Sequence, residues 1–190
     1  MDSATVLDLF RQSGALLEGH FRLTSGLHSD RYLQSALVLQ HAELATRLGE
    51  ALAARTQHLQ PTVVLSPALG GIVIGQEVGR ALGIRAIFAE RQDGGLMLRR
   101  GFALTSSDRV LVVEDVITTG GSTRETIAVA AAAGGRALGA AAIIDRGADA
   151  ARVDVPLFSL VRMDVPAYQP ESCPLCAKDI PVLKPGSRAL

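Results

Sequence analysis

Val112-Val113-Glu114-Asp115-Val116-Ile117-Thr118-Thr119-Gly120-Gly121-Ser122-Thr123 is an apolar run that ends in two adjacent carboxylates, followed by hydroxyls and glycines. Arg109–Glu114 reads as a buried strand, and Ser122–Gly134 as the helix after the loop. Ser122 with Glu125 three positions on is a capping-box pattern that sets the helix start. Glycines let backbone N–H groups converge, and a helix N-terminus adds positive potential, so the loop is an anion site. The acids sharpen that reading. Carboxylates would repel a polyphosphate, but they accept hydrogen bonds from the vicinal hydroxyls of a sugar. A phosphate cradle beside a diol acceptor describes a ribose 5-phosphate. A P-loop would need Gly-Lys-Ser/Thr, and the chain has no lysine before Lys178.

Outward from this string, strands and helices alternate. Thr62–Ser66 is a strand, Pro67-Ala68-Leu69-Gly70-Gly71 breaks it, and a helix runs to Leu82. Ile84–Glu90, Ala137–Asp145 and an edge strand at Leu157–Met163 follow the same pattern, with Arg91–Gly101 an exposed loop or ribbon. Apolar strands separated by helices predict a parallel sheet covered on both faces. Ligands of such sheets sit at the carboxyl ends of the strands, which brings Ser66–Gly71, Glu114–Gly121 and Asp145-Arg146 together. Ahead of the sheet, Ser3–Leu17 carries a helical stripe with Ser3 as its cap. Gly19–Gln34 shows no sustained period, and a second helix spans His41–Thr56. Residues 165–190 hold five of the eight prolines and read as an irregular tail.

Composition narrows the partners. The 190 residues suit one domain, 1–190, and the 19 basic and 19 acidic side chains argue against a nucleic-acid groove or a polybasic membrane surface. No apolar stretch is long enough to cross a bilayer, and the start lacks a signal-peptide pattern, so a cytoplasmic address is expected. Cys173-Pro174-Leu175-Cys176 is a lone C-x-x-C with no second pair and no histidine after His58. No metal site is therefore expected, and the thiols read as packed or idle.

The 112–123 string resembles the 5-phosphoribosyl diphosphate motif of the type I phosphoribosyltransferases. Within that family three further stretches resemble the orotate enzymes: Phe21-Arg22-Leu23-Thr24-Ser25-Gly26 with Ser29 and Tyr32, Ser66-Pro67-Ala68-Leu69-Gly70-Gly71-Ile72, and Ile143-Ile144-Asp145-Arg146. The resemblance implies a doubly wound α/β fold with a small N-terminal hood, residues 1–40, over the base. It implies transfer of 5-phosphoribose to orotate in pyrimidine (UMP) biosynthesis, by a homodimer using Mg²⁺ held mainly through substrate oxygens.

Carried over residue by residue, the resemblance has Glu114 and Asp115 hold the ribose hydroxyls and act catalytically. Val116, Ile117, Thr118, Thr119, Gly120, Gly121 and Ser122 complete the 5-phosphoribosyl diphosphate site, with Gly70 in the diphosphate loop. Thr118, Arg146, Tyr32 and Leu33 meet orotate; Arg also suits a carboxylate and planar edge on chemical grounds. A surface ion pair of Arg146 with Asp145 or Asp149 is the competing reading.

The basic residues depart from the family. Gly70 stands where many orotate enzymes have lysine, and the loop 91–101 has three arginines and neither lysine nor histidine. Arg91 matches a family lysine and is the candidate catalytic diphosphate clamp, ahead of Arg99 and Arg100. A purine phosphoribosyltransferase and a non-catalytic sensor of 5-phosphoribosyl diphosphate are the alternatives.

Overall fold

The computed structural model describes residues 1–23, 25–147 and 153–185; Thr24 of the Phe21–Gly26 pattern and Asp149, the second candidate partner of Arg146, lie outside them. The described elements are α1 (Ser3–Gln12), β1 (Leu16–Arg22), β2 (His28–Leu33), α2 (Ala36–Leu39), α3 (Ala42–Thr56), β3 (Val63–Pro67), α4 (Gly70–Leu82), β4 (Arg85–Gln92), β5 (Gly95–Leu98), β6 (Arg109–Ile117), α5 (Gly121–Ala132), β7 (Arg136–Asp145) and β8 (Leu157–Arg162). Strands β3 to β8 form one sheet in the order β5-β4-β3-β6-β7-β8, parallel except for β5, which turns back on β4 as an antiparallel ribbon.

Both faces of this sheet are apolar because successive residues of each strand point to opposite sides. Val64, Leu111, Val113 and Ile143 pack against α1, α3 and α4 through Phe10, Leu48 and Ile74. Val63, Leu65, Val110 and Val112 face the other way, onto α5 and the ribbon through Ala130, Ile127 and Leu96. All of the strand residues just named are fully buried, and each such side chain stabilises the fold by about 1.5–3 kcal/mol. The chain starts the sheet at β3, lays β4 on one side and returns to place β6 on the other. The strand order therefore reverses between β3 and β6, and a crevice opens at their carboxyl ends.

Residues 16–33, without a period that sequence reading could use, form a separate two-stranded hairpin, with a register shift between Glu18 and Phe21. The tail clasps both of its edges. Arg22 N donates to Leu183 O (2.8 Å) and Leu183 N to His20 O (2.8 Å), while His28 and Tyr168 exchange a pair of bonds at 2.9 and 2.8 Å. Helix α1 is shorter than the expected 3–17 span because Leu16 and Leu17 belong to β1. Its cap is Asp2, not Ser3: the Asp2 carboxylate accepts from Thr5 N at 2.8 Å, and Ser3 Oγ donates to Leu160 O instead.

Candidate functional site: an acid pair and a base-sized cavity

Glu114 and Asp115 sit near the end of β6, where alternation sends the two side chains to different surroundings. Glu114 is 8% exposed and accepts a hydrogen bond from Thr123 Oγ1, itself fully buried at the start of α5. Burial pushes the Glu114 carboxyl up to about 7; the Thr123 hydroxyl opposes that rise and the charge of Asp115 adds to it. Asp115 is half-buried, and its carboxylate lies against the backbone of Gly70: a Cβ there would come 2.8 Å from Asp115 Oδ1. Gly70, where many of the resembled enzymes have lysine, is thus also a position where any side chain has to displace Asp115.

The loop beyond the acids exposes Thr118 and Thr119 and turns at Gly120, whose φ of 71° is left-handed and suits glycine. Gly120 is the N-cap of α5, so the helix begins before Ser122 and the Ser122–Glu125 capping box does not form. Glycine at the cap leaves the first-turn N–H groups open toward the loop, where an anion would be held. Arg124 braces the loop by donating from Nη1 to Thr119 O at 3.0 Å.

Glu125, freed from capping, anchors the β4–β5 ribbon. Its Oε1 accepts from Leu96 N (2.6 Å) and its Oε2 from Arg91 Nη2 (2.8 Å), and these bonds, the backbone one foremost, hold its pKa below the usual value. Arg91 also donates to Gly94 O at 2.7 Å across the ribbon turn. It is exposed and is not part of the cavity beside the acids. Arg100 is engaged by Glu90 through two 2.8 Å bonds and stands over the Phe88 ring, while Arg99 is exposed.

A cavity of about 190 Å³ lies between the hairpin and the end of β6. Tyr32, Leu33, Thr118 and Arg146 all line it, together with Asp115 and Arg31. Arg146 follows the last residue of β7, where its N–H donates to Ile117 O at 2.9 Å. Its guanidinium is half-buried, donates to Val165 O at 3.1 Å, and has its pKa lowered by burial. The alternative ion pair with Asp145 does not form: Asp145 faces Arg162 at 3.9 Å and accepts from Gly147 N at 3.0 Å. A wider depression of about 620 Å³ shares Tyr32, Thr118 and Arg146 and opens this cavity to the surface.

Thr123 and Arg31 are site residues that sequence reading did not assign, and Glu125 was read only as a capping partner of Ser122, not as the anchor of the ribbon. Thr123 closes the quoted string and could have been found as a hydroxyl at the start of the helix that follows the acids. Arg31 and Glu125 act only through tertiary contacts, for which the local sequence carries no signal.

Thus the crevice where the strand order reverses joins an acid pair, a glycine-capped helix start and a cavity with an arginine at its wall. The phosphoribosyl transferase domain family matches residues 35–166, which span β3 through β8 with the acid pair, the loop after it and Arg146. The orotate phosphoribosyltransferase of Heliobacterium modesticaldum is 54% identical over 190 residues, covering 99% of this chain and 100% of that protein. That of Rhizorhabdus wittichii is 52% identical over 192 residues, covering 100% and 98%. Among solved structures, orotate phosphoribosyltransferase from Aeropyrum pernix superposes with a TM-score of 0.71 at 25% identity, covering 83% of this chain and 93% of that one. With identity at this level over the full length of its relatives, the chain belongs to the orotate phosphoribosyltransferases within the phosphoribosyl transferase domain family.

Proposed function

We propose that this chain transfers 5-phosphoribose from 5-phosphoribosyl diphosphate to orotate, giving orotidine 5′-phosphate and diphosphate in UMP biosynthesis. The observation that carries this reading is the joining of Thr118, Arg146, Tyr32 and Leu33 with Asp115 in one cavity. A planar base with a carboxylate would meet Arg146 through paired charge-assisted hydrogen bonds while its ring nitrogen points to the sugar beside Asp115. The 5′-phosphate would rest on residues Thr118 to Ser122 at the start of α5.

In the reaction the anomeric C–O bond breaks, the electron pair leaves with diphosphate, and the orotate ring nitrogen attacks the exposed carbon as its N–H proton is lost to solvent. Positive charge develops on the ribose ring, next to Glu114 and Asp115, whose carboxyl oxygens accept from the ribose hydroxyls. Arg91 would clamp the departing diphosphate. Its exposed pair with Glu125 is worth at most about 1 kcal/mol, and a polyanion would outcompete it. Arginine supplies charge but no proton near neutral pH.

Mg²⁺ fits this donor set in one way. The carboxyl oxygens are hard ligands, but among the described residues no cluster of three carboxylates forms a cage, so the ion would be held largely by substrate oxygens. When bound, it supplies charge neutralisation at the diphosphate.

The family resemblance implies a homodimer, and the exposed apolar side chains Leu37 (38%) and Val73 (45%) are candidate contacts for a second copy. Sedimentation of the wild type against Val73→Glu tests this; a monomeric wild type refutes it. A cytoplasmic location is supported by substrates too highly charged to cross a membrane unaided.

The deciding assay mixes the purified chain with orotate, 5-phosphoribosyl diphosphate and Mg²⁺ and follows loss of orotate absorbance. Uracil and hypoxanthine serve as control bases. Turnover with orotate alone is the expected result. Tight binding of 5-phosphoribosyl diphosphate without turnover makes the chain a sensor, and turnover with hypoxanthine makes it a purine enzyme.

A further inference from the structure

Local spacing finds no second ligand pair near Cys173 and Cys176, but the fold supplies one from the hairpin. His20 at the end of the irregular part of β1 and His28 at the start of β2 are brought against the tail. One donor atom from each of His20, His28, Cys173 and Cys176 lies within 4.8 Å of every other. His20 Nε2 is 2.9 Å from His28 Nδ1, 3.6 Å from Cys173 Sγ and 3.7 Å from Cys176 Sγ, and Cys176 Sγ is 3.3 Å from His28 Nδ1. A tetrahedron built on Zn–N of about 2.05 Å and Zn–S of about 2.3 Å has edges of about 3.3 Å between nitrogens and about 3.6 Å between nitrogen and sulfur. Each of these four distances lies within about 0.4 Å of the matching edge.

The surroundings fit a metal centre and not a chance group of polar side chains. His20, His28 and Cys173 are buried, with Cys176 outermost. The far nitrogen of His20, Nδ1, is 2.6 Å from Ile180 O. A carbonyl there fixes the proton on Nδ1 and turns the Nε2 lone pair toward the cluster, the outer-shell arrangement that metal-bound histidines use. The Cys173–Cys176 segment is a tight knuckle: Ala177 N donates to Cys173 O at 3.1 Å, and Asp179 N to Cys176 O at 2.9 Å. Two thiolates and two neutral imidazoles balance the charge of a divalent ion, which a mostly buried site requires.

We propose that His20 Nε2, His28 Nδ1, Cys173 Sγ and Cys176 Sγ bind one structural Zn²⁺ that clamps the hairpin to the tail. Both thiols lose their protons to solvent as the ion enters. The set is closed at four protein ligands, so no position is left for substrate or water, and the role is structural. The clamp lies behind the base site. His20 and His28 bracket the turn that contributes Leu23, Ser25 and Leu27 to the cavity mouth, and the tail contributes Val165 and Ala167 to the same mouth. The ion would therefore order two walls of the base cavity without touching the acid pair.

The full chain, purified under reducing conditions without chelators, should carry one zinc per chain by elemental analysis. Replacement by Co²⁺ should give the intense visible bands of a tetrahedral site and a thiolate-to-metal charge-transfer band. Cys173→Ser/Cys176→Ser should lose both the metal and that band. Chelation of the wild type should lower its melting temperature and raise KM for orotate more than KM for 5-phosphoribosyl diphosphate. Wild-type protein that takes up no zinc when reduced and incubated with it overturns the proposal, as does a cobalt spectrum without the thiolate band. So does a Cys173–Cys176 disulfide in protein prepared under reducing conditions, or full zinc retention by the double variant.

Discussion

Glu114→Gln should stabilise the fold while abolishing turnover, and the stabilisation should depend on pH in a defined direction. Glu114 ionises at about 7 in the folded chain against 4.5 in an unfolded one, chiefly because it is buried. A carboxyl whose folded pKa is raised costs nothing below its unfolded pKa, where both states hold the proton. As pH rises, the unfolded chain gains ionisation free energy that the folded chain cannot match until its own pKa is reached. The gap of about 2.5 units corresponds to about 3 kcal/mol, fully expressed above about pH 7.

Glutamine keeps the shape and a hydrogen-bonding partner for Thr123 but removes the titration. Its advantage should therefore be about 3 kcal/mol at about pH 8 and mostly gone at about pH 5. For a chain of this length that is about 6–12 °C in melting temperature. Urea unfolding of both proteins at the two pH values gives the difference directly, and constant contributions from the amide cancel in it. A stability difference that does not grow with pH refutes the assignment of Glu114 as a buried, proton-holding carboxyl. Retained turnover in the variant refutes its role at the sugar.

Thr123→Val removes the hydroxyl that donates to Glu114. Such a bond to a charged group is worth about 1.5–3 kcal/mol, so the acid limb of kcat/KM should move up by about 1–2 pH units, and an unmoved limb counts against it. Arg146→Gln should raise KM for orotate about 10- to 150-fold, the equivalent of losing one charge-assisted hydrogen bond, with KM for 5-phosphoribosyl diphosphate nearly unchanged; steady-state titration of each substrate separates the two. Gly120→Ala forces a side chain into the left-handed cap of α5 at a cost of about 1–2 kcal/mol, and should weaken 5-phosphoribosyl diphosphate binding by calorimetry before it unfolds the chain.

Strands β3, β4, β6, β7 and β8 were legible because each is an apolar run bounded by glycine, proline or charge, and a buried parallel strand needs no more than that. The acid pair was legible for the opposite reason: two carboxylates at the end of such a run are costly unless something uses them. The hairpin at 16–33 was not, since its strands are held by the tail as much as by each other, and contacts 140 or more residues away leave no local period. The capping box failed because Gly120 takes the cap position first and Glu125 is worth more to the ribbon, where it meets both a backbone N–H and Arg91. Cys173 and Cys176 looked solitary for the same reason that the hairpin looked irregular: their partners are reached through space.

The replacement of lysine by arginine in the loop 91–101 follows from the leaving group. Diphosphate departs as a stable anion, so its release calls for positive charge more than for a proton, and guanidinium supplies charge at every working pH. What arginine cannot do is lose its charge when buried as lysine does, which suits an exposed ribbon better than a closed pocket. The ribbon here is exposed, and Glu125 holds Arg91 in a weak surface pair that the proposed clamping of diphosphate would replace. Gly70 is a separate case. With no lysine at that position, Asp115 packs directly onto the backbone of the diphosphate loop, and the carboxylate stays free of a neighbouring ammonium that would compete with the ribose hydroxyls for it. The two departures from the resembled pattern therefore differ in kind: the ribbon keeps its positive charge as arginine, whereas the floor of the crevice gives up a charge at Gly70.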